Sequence, residues 1–117
     1  MVYRIDPHTG SLTEVGPLVD GGVISDFAVH PENGTMYAVY YDALYTLDPS
    51  TPKLTKVADI TKAYSDISGI AFDQDGSLYA LSFHNQTTLY KLDPVTGVAE
   101  KIASVQARNV HSADIAP

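Results

Sequence analysis

The 117-residue sequence contains no cysteine. This absence excludes disulfide bonds, thiolate catalysis and cysteine-ligated metal sites. Basic residues are also scarce, because seven lysines and arginines stand against fourteen acidic residues and give a formal net charge of -7. Such a surface repels the phosphate backbone of nucleic acids, so we expect no nucleic-acid partner.

Long apolar runs are missing as well. No segment approaches the length of a membrane span, and residues 1–10 lack the basic region and apolar core of a signal peptide. We therefore expect no membrane-spanning segment. The missing leader does not decide the compartment, because signal peptides are removed from mature proteins.

The composition is that of an ordinary globular domain, with 44% hydrophobic and 18% charged residues. Glycine, proline, threonine and tyrosine are frequent, which favours strands and turns over helices. Helical periodicity is weak throughout. The sequence therefore predicts one all-β domain over residues 1–117.

A fourteen-residue stretch occurs three times without gaps, as VYRIDPHTGSLTEV from residue 2, LYTLDPSTPKLTKV from residue 44 and LYKLDPVTGVAEKI from residue 89. Each copy predicts a hairpin, in which the aspartate accepts hydrogen bonds from backbone N–H groups two residues on. Gly10 and Gly97 supply a positive φ at the turn exit. Proline is not expected to adopt a positive φ, so the middle turn should differ locally at Pro52.

A second repeated stretch alternates with the first. Residues 25–39 read SDFAVHPENGTMYAV and residues 68–81 read SGIAFDQDGSLYAL, each predicting a strand, a turn and a second strand. The segment SADIAP at residues 112–117 matches the opening of a third copy. Equivalent positions recur every 42 to 45 residues.

A period of this length with four strands per unit is typical of a β-propeller blade. With strands named a to d from the axis outward, the predicted order is c-d, a-b-c-d, a-b-c-d and a. The predicted units are a half blade at residues 1–15, blades at 25–61 and 68–105, and the first strand of a further blade at 112–117. Alanines at positions 28, 38, 71 and 80 are expected to let neighbouring blades approach closely.

The pattern LYxLDPxTG followed by SGIAFDxDGxLYAL resembles the repeat of bacterial extracytoplasmic propellers. It is similar, more distantly, to the NHL and gluconolactonase-like groups. The resemblance covers essentially the whole chain and implies a binding or occasionally enzymatic propeller of about six or seven blades. It also implies an extracellular, cell-surface or periplasmic location. Its repeated residues are turn formers and core residues, so it indicates the fold and not the ligand.

The sequence departs from those families in length, because it holds fewer than three blades. Two or three blades do not close a ring, and both ends would expose core surface. We therefore expect either a protomer that associates with itself head to tail, as a ring or a filament, or part of a longer propeller. A non-catalytic binding or assembly module is the first functional hypothesis. The alternatives are part of a lactonase-type or hydrolase-type propeller enzyme, and a structural filament subunit.

Functional residues of a propeller usually lie in the loops of one face. The loops joining strands d to a are predicted at 16–24, 58–67 and 103–111, and those joining b to c at 40–43 and 83–88. The ligand-binding candidates taken from these loops are Asp20, Tyr41, Asp42, Tyr64, His84, Asn85 and Arg108.

No catalytic residues, cofactor or metal ligands are nominated. The segment DQDG at residues 73–76 has the start of a calcium loop but lacks its later acidic ligands, and it aligns with a hairpin turn. The histidines fall at unrelated places in the repeat, without the spacing of a helical zinc site. GxSxG, P-loop and GxGxxG motifs are absent.

Overall fold

The computed structural model describes residues 1–18, 23–63, 67–84, 86–105 and 115. These residues form ten β-strands and no helix. The predicted all-β fold class, with its order of c-d, a-b-c-d and a-b-c-d strands, is confirmed for this part of the chain. No helix that is long and apolar enough to cross a membrane is found within it.

The strands form one two-stranded hairpin and two four-stranded sheets, all antiparallel. The N-terminal hairpin pairs β1 (Val2–Ile5) with β2 (Leu12–Gly16). Sheet I consists of β3 (Asp26–Val29), β4 (Met36–Tyr40), β5 (Ala43–Asp48) and β6 (Lys53–Asp59), in that order. Sheet II consists of β7 (Ile67–Phe72), β8 (Leu78–His84), β9 (Gln86–Leu92) and β10 (Ala99–Val105). Consecutive pairing of this kind is consistent with propeller blades.

The three Asp-Pro turns form as the sequence predicts. Backbone N–H groups two residues on donate to the carboxylates of Asp6, Asp48 and Asp93 at 2.8, 2.9 and 2.8 Å. Gly10 and Gly97 close their turns at φ of 73° and 74°. These bonds fix the turn and therefore the register of the strands on either side.

The middle turn differs at Pro52, whose φ is 25°. The turn deviates from its two homologues as expected, but the expectation that proline would avoid a positive φ is wrong. Pro52 is buried, and its Cγ lies 4.0 Å from where a Cβ on Gly16, the last residue of β2, would stand. Its φ is one that the proline ring disfavours.

The two sheets bury one apolar cluster between them. Alternate residues of β4 divide between two clusters: Tyr37 and Val39 pack towards sheet II, whereas Met36 and Ala38 pack on the opposite side. The cluster between the sheets is formed by Val39, Leu44, Ile60, Ile67, Ile70, Leu78, Ala80, Tyr90, Leu92 and Ala99. This core is the main apolar contribution to stability, because burial of apolar surface dominates folding.

Polar and aromatic contacts complete the junction between the sheets. The rings of His30 and Tyr37, from sheet I, lie 5.0 and 5.3 Å from the ring of Phe72 on β7. The Asp26 carboxylate accepts a hydrogen bond of 3.0 Å from the backbone N–H of Ile70, which is itself buried. The inner strands β3 and β7 are thus held together by both packing and a charged acceptor.

We expect Asp26→Ala to lower the free energy of unfolding by about 1–3 kcal/mol, because the Ile70 N–H then lies half-buried without its acceptor. Asp26→Asn keeps an oxygen acceptor and should recover most of that loss. Urea unfolding of the two variants beside the wild type measures both values. Equal losses in the two variants would show that the charge, and not the hydrogen bond, matters.

Candidate functional site

Three of the seven nominated ligand contacts lie within the described residues. Tyr41 and Asp42 form the two-residue turn between β4 and β5, and His84 is the last residue of β8. The other four candidates, Asp20, Tyr64, Asn85 and Arg108, lie outside the described residues. The ligand-binding role of the seven therefore remains a prediction.

The predicted loop at residues 83–88 is wrong, because most of it is strand. Phe83 pairs with Thr87 and His84 with Gln86, so β8 and β9 continue almost to the tip of their hairpin. Thr87 and Thr88 are buried. β-branched residues favour extended backbone, and here this preference prolongs the strands past the point where sheet I turns.

The turn between β4 and β5 presents an aromatic pair. The rings of Tyr40 and Tyr41 lie 4.5 Å apart, and Tyr41 is exposed with a φ of 54°. Partial burial, and then the hydrogen bond with Tyr41, raises the pKa of Tyr40 above 10.0. The carbonyl of Asp42 accepts a 2.7 Å hydrogen bond from the backbone N–H of Ile60. The turn is thus anchored by a backbone hydrogen bond to the residue that follows β6.

The described residues bring together no catalytic or metal-binding constellation. They contain no group of three or more His, Asp or Glu side chains that could hold a metal ion. Residues 73–76 form a hairpin turn, in which the Gly76 N–H donates to the Asp73 carbonyl at 3.0 Å. The turn prediction for this segment is confirmed. His30 also belongs to a turn, because its Nδ1 accepts from the backbone N–H of Glu32 at 3.2 Å.

Turn carboxylates give the fold a pH dependence. Hydrogen bonds lower the pKa of three aspartates below 3.8: the Ser50 hydroxyl acts first on Asp48, the backbone N–H of Ser77 on Asp75, and that of Val95 on Asp93.

The unfolded chain therefore binds more protons than the folded one, so their contribution is present above pH 3.8 and is lost as the pH falls through the lowered values. We expect the urea midpoint to fall as the pH is lowered below 4, and Asp93→Asn to reduce both the midpoint at pH 7 and its pH dependence. An unchanged pH dependence in the variant would contradict this assignment.

Two open cavities lie on sheet II. One, of about 470 Å³, runs between the outer turns and mixes charged and apolar walls, with Asp75, Lys91 and Glu100 among them. The other, of about 330 Å³, lies on the face turned away from sheet I and is lined mainly by apolar side chains. Those side chains include Ala71, Tyr79, Leu81, Leu89 and Ile115.

The hairpins formed by the three copies of the fourteen-residue stretch share one irregularity. The register shifts at the same place in each, so that Val15, Val57 and Ile102 are bulged at equivalent positions. This agreement confirms that the copies are equivalent in structure as well as in sequence. Residues can therefore be compared position by position between the N-terminal hairpin, sheet I and sheet II.

We call the side of a unit that faces the next unit along the chain its forward face, and the opposite side its backward face. Between sheets I and II, the forward face of sheet I presents Tyr37, Val39, Leu44 and Val57. The backward face of sheet II presents Ile70, Leu78, Tyr90, Leu92 and Ala99. This junction shows how one unit packs on another.

In the part of the chain that the structure describes, several equivalent residues at the two ends of the array are exposed. On the backward face of the N-terminal hairpin, Ile5 is 62% and Leu12 61% exposed. On the forward face of sheet II, Ile102 is 50% exposed, whereas its equivalent Val57 packs against the core. The sequence predicts exposed core surface at both ends of the array, and the structure shows which residues carry it.

No protein-family model matches the sequence, and no curated protein matches it either. The two exposed faces are therefore the features from which a function can be argued.

Proposed function

We propose that the chain is a non-catalytic assembly module, a partial β-propeller that completes its ring or array by self-association. One observation carries the proposal. The position occupied by Leu47 in sheet I and Leu92 in sheet II is 7% and 1% exposed, whereas its equivalent Ile5 is 62% exposed. A residue that is core in two copies and exposed in the third calls for a covering surface.

The energetics of the N-terminal hairpin support the same conclusion. An isolated two-stranded hairpin is marginally stable in water and needs a further strand or a packing surface. Among the described residues, neither β1 nor β2 lies close to a strand of either sheet. The hairpin is joined to sheet I through Gly16 at Pro52 and through Leu18, which packs beside Leu54. Its other apolar side chains are available to a partner.

The stacking of the sheets supports the proposal of a partial propeller. Two consecutive four-stranded meanders contact each other face to face, with inner strand β7 beside β3 and β4. Blades of a propeller stack in this way. The resemblance to extracytoplasmic propellers supports the same proposal and extends it to an extracellular, cell-surface or periplasmic protein.

Sedimentation across a range of protein concentrations tests the proposal. We expect a mass that rises from one chain to several chains, and loss of self-association when the apolar faces are charged. Electron microscopy of the associated particles then distinguishes a closed ring from an open filament, because both follow from a head-to-tail contact. A particle of one-chain mass at every concentration, with a single cooperative unfolding transition, would overturn the proposal.

A further inference from the structure

The junction between sheets I and II provides a template for a contact between chains. In its apolar part, the forward face of sheet I packs against the backward face of sheet II. Beside this, the turn glycine Gly97 of sheet II lies against the residues that end β6. Gly97 lies so close to sheet I that a Cβ there would overlap the carbonyl oxygen of Asp59 and would lie 3.1 Å from the Cβ of Ala58. Two backbone hydrogen bonds of 2.9 Å join the sheets here: the Thr61 N–H donates to the Gly97 carbonyl, and the Thr61 carbonyl accepts from the Ala99 N–H.

A looser contact at equivalent positions lies between the N-terminal hairpin and sheet I. Pro52 takes the place of Gly97, and its Cγ lies 4.0 Å from where a Cβ on Gly16 would stand. Gly16 is the equivalent of Ala58, since each pairs with the first residue of the repeated stretch. The turn position of each unit therefore receives the strand end of the preceding unit.

The third turn, at Gly10, has no such neighbour among the described residues. A Cβ on Gly10 would meet no atom within 4 Å. On the other side of the array, Ala103 and Ser104 stand at the positions of Ala58 and Asp59, and their pairing with Leu89 and Thr88 matches that of the earlier copy. Both are exposed. One chain thus carries both the Gly10 turn and the strand end at Ala103 and Ser104 that is equivalent to the one packed on Gly97.

The apolar side chains on the two end faces also match those of the junction between sheets I and II. The backward face of the N-terminal hairpin presents Tyr3, Ile5 and Leu12. The forward face of sheet II presents Tyr79, Leu81, Leu89 and Ile102, and the cavity of about 330 Å³ lies over it. Ile115 lines that cavity, so the surface already holds one apolar side chain from beyond sheet II.

We infer that the forward face of sheet II of one chain binds the backward face of the N-terminal hairpin of a second copy, with Ala103 and Ser104 seated at Gly10. The contact is heterologous, because two different surfaces of the same chain meet. This inference rests on the proposed self-association and adds the surfaces and the orientation. A second copy is the occupant because it brings residues equivalent to those that pair between sheets I and II: Tyr3, Ile5 and Leu12 stand at the positions of Tyr90, Leu92 and Ala99.

Charged substitutions on the two faces test the inference by complementation. Leu12→Glu alters only the backward face and Ile102→Glu only the forward face, while Val95→Glu alters an exposed turn residue outside both. We expect each of the first two variants to weaken self-association at least about 30-fold, because a carboxylate is costly to bury in an apolar contact. Val95→Glu should associate like the wild type.

An equimolar mixture of Leu12→Glu and Ile102→Glu is expected to form pairs of chains and nothing larger, since each variant keeps the face that the other has lost. Sedimentation of the mixture measures this. If the Ile102→Glu variant alone associates like the wild type, or if the mixture stays monomeric, the head-to-tail contact is wrong although self-association stands. A wild-type chain that never associates would instead overturn the proposed function and, with it, this inference.

A second pair of variants covers the case in which a glutamate perturbs the hairpin. Gly10→Ala and Gly34→Ala both place alanine at a φ of 73° with no atom within 4 Å of the new Cβ. Their effects on folding should therefore match. Only Gly10→Ala should weaken association, at least about tenfold, because the added methyl group occupies the place of Ser104. Equal association of the two variants would contradict the inference.

Discussion

Gly97→Ala is expected to lower the free energy of unfolding by about 3 kcal/mol or more. Two costs combine. Alanine at a φ of 74° is strained by about 1–2 kcal/mol. Its Cβ would also overlap the Asp59 carbonyl oxygen, which is backbone and cannot rotate away, so sheet I and sheet II must move apart. Urea unfolding monitored by circular dichroism measures the loss.

Gly34→Ala is the matched control for this prediction. Gly34 has a φ of 73°, and a Cβ there would meet no atom within 4 Å. Its substitution should therefore cost only the backbone strain of about 1–2 kcal/mol. The difference between the two losses in unfolding free energy measures the cost of disturbing the contact between Gly97 and Asp59. Equal losses would mean that the sheets separate at Gly97 without penalty.

Leu92→Ala is expected to destabilise the fold by about 2–5 kcal/mol, because it removes a leucine that is 1% exposed from the core between the sheets. Ile5→Ala changes the equivalent residue of the N-terminal hairpin, which is 62% exposed, and should cost about 0.5 kcal/mol or less. Urea unfolding at protein concentrations below those of association measures both. A large loss for Ile5→Ala under those conditions would show that the hairpin packs inside its own chain.

Local chemistry explains why most of the fold could be predicted from the sequence. Aspartate, proline and glycine at fixed spacing specify a turn by hydrogen bonds that span two residues, so the hairpins at Asp6, Asp48 and Asp93 were predictable. The gapless alignment of the copies then gave the strand order. Pro52 shows the limit of such reasoning, because its φ of 25° is one that the chemistry of proline alone would not predict.

The junction and the candidate faces were less predictable, because they depend on residues far apart in the chain. Asp26 accepts a hydrogen bond from a residue 44 positions away, and nothing in its sequence neighbourhood marks it as a junction residue. Ile5, Leu92 and Leu47 look alike in the alignment. Leu92 lies in the core between the sheets, whereas Leu47 belongs to a cluster against which Leu18 packs. The alignment alone does not show these neighbours.

The stacking of units on their faces also determines the order in which the molecule opens. The free energy of unfolding of a linear stack is the sum of the stabilities of its units and of the contacts between neighbours. A unit with one neighbour is therefore less stabilised than a unit with two. The N-terminal hairpin, whose strands lie close to neither described sheet, should release its backbone amides to hydrogen exchange first.

The amides of β4 and β8, at the centres of sheets I and II, should be protected longest. From the proposed self-association we expect hydrogen exchange at increasing protein concentration to show a selective rise in protection of β1 and β2. Protection of all strands in parallel would instead mean that the chain opens as one unit. On the proposed self-association, the hairpin would be a growing end, whose own folding is completed by the next chain that binds.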